Sequence, residues 1–155
     1  MDITIGQLLD KKGAQVFSVE ESVCIKDCAI KLQQAGVGSL LILDEQHHLV
    51  GILYERDIAR RAVVEGMDLA VVPVSDIMTK KFPTVRRDMM VGHAMKIIND
   101  QRVRHLPVIE DDVVYGLVSI GDVNNYMLQA QQEDIDHLVD YISGGRPISF
   151  ATPSQ

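Results

Sequence analysis

Apolar residues recur at helical spacing in two places, 66 residues apart. Ile25, Cys28, Ala29 and Leu32 form one stripe; Val91, Ala94, Met95 and Ile98 form the other. The i, i+3, i+4, i+7 spacing puts each set on one face of an amphipathic helix. The same offset carries VGSLLIL (Val37–Leu43) onto VRHLPVI (Val103–Ile109), two runs rich in branched aliphatics that predict buried strands. Polar loops, DEQHH and EDD, follow, and the second copy is one residue shorter, as hairpin loops allow. Then LVGILYERDIARRA (Leu49–Ala62) falls on VYGLVSIGDVNNYM (Val114–Met127), each a strand that turns directly into a helix.

Each copy therefore predicts the order strand, helix, strand, strand, helix. VFSV (Val16–Val19) and FPTV (Phe82–Val85) supply the first strands. A helix over Ile5–Lys11 leads into the first copy. A short one near Ser75–Met78, with Ser75 as N-cap, leads into the second. Glu65–Pro73 links the copies. A repeat of this size cannot cover both faces of its own sheet, so the two are expected to pack together about a pseudo-twofold axis in an α/β (α+β) fold.

Composition narrows the class. Of 155 residues, 46% are hydrophobic and 24% charged, with no Trp, which describes a globular chain with an aliphatic core. The longest apolar runs are strand-sized, too short to span a membrane. The start MDITIGQLLDKKG lacks a basic n-region, so no signal peptide is expected and the expected location is cytoplasmic. Cys24 and Cys28 are expected as two small buried residues, because two thiols alone make a poor zinc site. The net charge of −7 argues against a nucleic-acid partner. It is unevenly spread, however. Lys80–His105 carries +5 and the remainder −12, which suits a small anionic ligand better than a long polyanion.

The paired sequences resemble a tandem pair of cystathionine-β-synthase (CBS) domains, a Bateman module. VRHLPVIEDDVVYGLVSIGDV and VGILYERDIARRAV carry the resemblance most strongly, and it extends from about Ile5 to Ile142. Small stand-alone bacterial members are the most similar. The resemblance implies two pseudo-symmetric β-α-β-β-α repeats, at 1–72 with the N-terminal helix and at 73–143, and a flexible tail over 144–155. It also implies a homodimer of modules and a regulatory role, in which an adenosine ligand such as AMP, ADP, ATP, NAD or S-adenosylmethionine binds between the copies and an unknown protein target responds. The amphipathic end of the last helix, with Ile135, Leu138, Val139 and Tyr141, is expected to pack on a neighbouring module.

In this family an S/T-x-x-D pattern holds the ribose, and that role falls here on Ser119 and Asp122. A carboxylate can accept both hydroxyls of a diol, and such charge-assisted bonds contribute about 1.5–3 kcal/mol each. By the same resemblance Arg104 and His105 face the phosphates, where a guanidinium binds oxygens bidentately. The resemblance also implies an adenine slot lined by Ser18, Val19, Val37 and Gly38, and Leu117, on the strand before Ser119, is expected to line it too. A second, pseudo-symmetric site would use Asp57 and Arg56 with Thr84 and Val85. There Tyr54 stands in the serine's place, so that cleft is expected to be partly filled. Arg56 has the alternative of assisting the first ligand's phosphates.

No nucleophile–base pair, metal cluster or phosphate-cradling glycine loop is evident, so neither catalysis nor a metal is expected. The alternative to a nucleotide sensor is an interaction scaffold with a degenerate ligand site.

Overall fold

The computed structural model of the chain describes residues 2–144. The expected tail thus lies outside the described residues, apart from Gly144. In the first repeat, β1 (Ser18–Glu20) lies parallel to β2 (Ser39–Leu43), which pairs antiparallel with β3 (Leu49–Tyr54). Helix α2 (Ile25–Ala35) crosses between β1 and β2. Its face of Ile25, Cys28 and Leu32 is buried with Leu40, Ile42 and Leu53. After β3 the chain turns at once into a short helix, α3 (Glu55–Asp57), which continues as a π-helical stretch over Ile58–Val63.

The second repeat repeats this plan with α4 (Val91–Gln101), β4 (His105–Glu110), β5 (Val113–Ser119) and the long α5 (Ile120–Ser143). Val91, Ala94, Ile98, Leu106, Val108 and Val118 form its core. The expected strand Phe82–Val85 is reduced to one parallel bridge between Val85 and Val108. Proline explains the loss. In the first repeat the Leu41 N–H donates to Phe17 O at 3.0 Å. Pro107 occupies the matching place and has no N–H to give. The carbonyl of Pro107 still accepts from Val85 N at 3.0 Å, and Ile109 N donates to Val85 O at 2.9 Å.

The leading segments are exchanged. Helix α1 (Ile5–Lys12), first in the chain, buries Ile5, Leu8 and Leu9 in the core of the second repeat. The 3-10 turn Val74–Asp76, with Ile77 and Met78, enters the core of the first. Ser75 does not cap this turn; Pro73 precedes it, without a side-chain cap.

Matching backbone bonds hold both segments. Ile5 N donates to Met89 O and Val74 N to Val23 O, each at 2.8 Å. Two glycines admit the exchanged side chains. A Cβ on Gly116 would stand 2.9 Å from Leu9 Cδ2, and one on Gly51 would strike Met78 Sδ. A third cluster, with Leu41, Ile52 and Tyr54 buried against Phe82, Val114 and Leu117, joins the two repeats.

Candidate functional site

The two strand-to-helix corners occupy equivalent places and are built differently. At the second, Ser119 is the N-cap of α5 and Asp122 its N3 residue, in a reciprocal capping box. Asp122 is thus the N3 partner of the box and not the cap. Its Oδ2 accepts from Ser119 N at 2.7 Å and from Ser119 Oγ at 2.9 Å, while Asp122 N donates to Ser119 Oγ at 3.1 Å.

Lys12 Nζ, at the end of α1, stands 2.9 Å from the same Oδ2. Burial alone would raise the Asp122 carboxyl, but the Ser119 N–H, the Lys12 ammonium and the Ser119 hydroxyl outweigh it. Together they hold the group below the usual carboxylate range.

These groups face a cleft of about 250 Å³ between the repeats. Val37 and Gly38 line it from the first repeat, and His105, Leu117, Ser119 and Asp122 from the second. Ser39, with Lys12, Gln15, Val16 and Phe17, completes it. The register explains the side shared with the first repeat. Ser39 pairs with Tyr54 at one end of β2, while β1 lies parallel to β2 with Ser18 opposite Leu41. Residues just before Ser18 are therefore the ones beside Val37–Ser39.

Ser18 instead lines a separate cavity of about 520 Å³ between the two hairpin loops, with Lys31 Nζ 2.5 Å from its carbonyl oxygen. Val19 packs on the first repeat's core. Arg104 is exposed and does not line the cleft; its carbonyl accepts from Ile120 N at 2.8 Å. Glu55 N repeats that bond to Gly38 O at 3.1 Å.

His105 is half-buried, and its Nδ1 is enclosed without a hydrogen-bond partner. Burial pulls its pKa below 6.5; Asp122 opposes this, while Arg56, Arg104 and Lys12 add to it. The ring is therefore neutral near pH 7 and can donate from only one nitrogen.

At the first corner, Tyr54 is 7% exposed and fills the serine's place. Arg56 lies over its ring, 4.9 Å from the centroid. Asp57 is 5% exposed and committed internally: Oδ2 accepts from Tyr54 N at 3.0 Å and from Thr79 Oγ1 at 3.2 Å. Arg61 Nε lies 3.8 Å from Oδ1. Thr84 is exposed, while Val85 is 2% exposed in the second repeat's core, so Val85 cannot face a ligand at this corner.

Lys12 went unanticipated, yet the sequence carries a signal for it. IGQLLDKK (Ile5–Lys12) aligns with VSDIMTKK (Val74–Lys81) at an offset of 69, which marks both as equivalent leading segments. Among the described residues, no group of three or more His, Cys, Asp or Glu side chains could hold a metal ion.

Two such repeats, each with a strand that runs directly into a helix, define a paired-repeat α+β module. The CBS-domain family model matches residues 14–64 and 74–129, and the chain belongs to that family, with two copies of the domain. The CBS domain-containing protein CBSX3, mitochondrial, of Arabidopsis thaliana is 38% identical over 125 residues, which are 78% of this chain and 61% of the plant protein. The chain therefore spans less than two thirds of that relative. The CBS domain-containing protein YhcV of Bacillus subtilis is 30% identical over 114 residues, 74% of this chain and 80% of its own length.

Among solved structures, the CBS-domain containing protein ATU1752 from Agrobacterium tumefaciens superposes with a TM-score of 0.73 at 31% identity, covering 79% of this chain and 91% of that one. The CBS domain pair of protein MJ0100, solved with 5′-methylthioadenosine and S-adenosyl-L-methionine, has a TM-score of 0.74 at 23% identity and shares the fold. It covers 84% of this chain and 99% of its own.

Proposed function

We propose that this CBS pair is a non-catalytic sensor of an adenosine nucleotide, AMP, ADP, ATP or NAD, bound in the cleft at Ser119 and Asp122 and reported to a protein partner. The observation that carries this reading is the convergence of Val37 and Gly38 with His105, Leu117, Ser119 and Asp122 on one cleft. The apolar residues suit a purine face. Asp122 Oδ2 already holds Ser119 N, Ser119 Oγ and Lys12 Nζ, so we assign to Oδ1 the role of accepting from a ribose diol. The adenosine compounds named with protein MJ0100 support the ligand class.

A ligand held by groups from both repeats favours whichever arrangement of the repeats presents them together, and that difference is what a partner can sense. A homodimer belongs to the same proposal. Ile135, Leu138 and Ile142 leave an apolar row exposed along the end of α5, on which a second module would pack.

The test is calorimetric titration of nucleotide-free protein with AMP, ADP, ATP, NAD and S-adenosylmethionine, repeated on Asp122→Ala. Micromolar to millimolar binding that weakens at least about tenfold in the variant is expected. Absence of binding at millimolar concentration, or indifference to the substitution, overturns the reading. It then leaves the scaffold alternative, which the filled corner at Tyr54 favours for the first site. Molar mass by light scattering tests the dimer.

A further inference from the structure

We infer that Lys12 selects the charge of the ligand: its ammonium anchors a 5′-phosphate next to the Asp122-bound ribose, so that the cleft takes anionic adenosine nucleotides in preference to neutral or cationic adenosine compounds. This rests on the reading that the cleft binds adenosine.

Lys12 and Asp122 together separate two cavities. One is the inter-repeat cleft of about 250 Å³. The other, of about 230 Å³, is lined by Lys11, Lys12, Asp122, Asn125 and Gln129 with apolar Leu8 and Tyr126. The cleft offers the apolar surfaces of Val16, Val37 and Leu117. The second cavity offers ammonium and amide donors, which are phosphate chemistry. A 5′-phosphate would lie one sugar ring away from a diol held on Asp122, a distance that the flexible Lys12 stem can span.

Charge favours the same outcome. Lys12, Arg56 and Arg104 all act on His105, against Asp122 as the carboxylate that opposes them. Of these cations, Lys12 is the one on the cleft wall, and its ammonium attracts a phosphate and repels a sulfonium. The ammonium is also available. Its pairing with Asp122 is partly exposed, at 28% for Lys12 and 24% for Asp122, so shifting it toward a phosphate costs little. Arg104, the phosphate residue implied by the family resemblance, is exposed and outside the cleft wall. Lys12 is held in place instead, because α1 is anchored by buried Ile5, Leu8 and Leu9.

The experiment titrates the full chain with AMP, adenosine and S-adenosylmethionine, using wild type, Lys12→Met, Lys12→Arg and Asp122→Ala, with folding checked by thermal melting. Wild type is expected to bind AMP at least about tenfold more tightly than the other two. Lys12→Met should lose most of that preference. Its adenosine affinity should stay within about threefold of wild type or improve, because Asp122 is released to the diol. Lys12→Arg should restore the preference.

Equal binding of AMP and adenosine by wild type overturns the inference. So does unchanged AMP affinity in Lys12→Met, and so does a parallel loss of both ligands, which would mark a structural role. If adenosine compounds still bind through Asp122 in those cases, the sensor reading survives and only the role of Lys12 falls. If wild type binds none of them, or Asp122→Ala has no effect, both fall together.

Discussion

Tyr54 and His105 meet across the boundary between the repeats, with ring centroids 5.6 Å apart and planes tilted by 37°. They occupy opposite members of equivalent strand pairs: Ser39 faces Tyr54 in the first repeat, and His105 faces Ser119 in the second. Each corner thus combines one small and one large side chain in opposite order, and the two large ones touch. Tyr54→Ser should cost about 3 kcal/mol by leaving a cavity under His105, whereas Tyr54→Phe should stay within about 1 kcal/mol. Urea midpoints would decide, and near-wild-type stability of Tyr54→Ser would refute the packing role.

His105 should make the protein less stable in mild acid. Burial, with Arg56, Arg104 and Lys12, holds its folded pKa below 6.5, and Asp122 only partly opposes them. As pH falls through 6.5 the unfolded chain takes up the proton first, so stability drops until the folded-state pKa is passed. Denaturation between pH 7.5 and 5.5 should show this fall, and His105→Gln should flatten it. An equal slope in the variant would assign the effect to other groups.

The two equivalent aspartates should respond oppositely. Asp57 is buried and holds Tyr54 N and Thr79 Oγ1, so Asp57→Ala should cost about 2–4 kcal/mol through unsatisfied partners. Asp122→Ala should cost only about 1 kcal/mol, the loss of a capping-box partner, and instead lower nucleotide affinity. Paired melting and titration would separate them. Equal stability losses would contradict the contrast.

Arg102 closes α4 in the left-handed region at φ 53°, where Gly36 closes α2 at φ 65°. A side chain in that region costs about 1 kcal/mol, partly offset by the lower unfolded-chain entropy of a non-glycine residue. Arg102→Gly should therefore stabilise by about 0.5–1 kcal/mol, a gain readable as a rise in melting temperature.

Cys28 should resist alkylation in the native state. Burial, with Cys24 and Asp27 nearby, pushes its thiol pKa to about 11, so almost no thiolate is present at pH 7. Iodoacetamide followed by peptide mass mapping should label Cys24 ahead of Cys28, and both after unfolding. Rapid native labelling of Cys28 would contradict its burial.

Of the expected apolar stripes, Ile25, Cys28 and Leu32 on α2 and Val91, Ala94 and Ile98 on α4 are buried, while Ala29 and Met95 at the stripe edges are half-buried. The strand expected at Phe82–Val85 was misjudged, although Pro107 carried the signal, because its missing N–H is a covalent property of the residue. The shift from Ser18 and Val19 to Val16 and Phe17 was not legible. It depends on how far β1 slides along β2, which a three-residue strand does not specify through its own pattern.

The sequence by itself determined the duplication, the elements of each copy and the difference between the Tyr54 and Ser119 corners, because periodicity and side-chain volume are local properties. The tertiary structure decided that the leading segments cross over to the opposite repeats. Gly116 accepts Leu9 and Gly51 accepts Met78, so the tightest packing for each segment lies on the other repeat. That exchange is what carries Lys12 to Asp122, a contact between residues more than a hundred positions apart that no local pattern encodes.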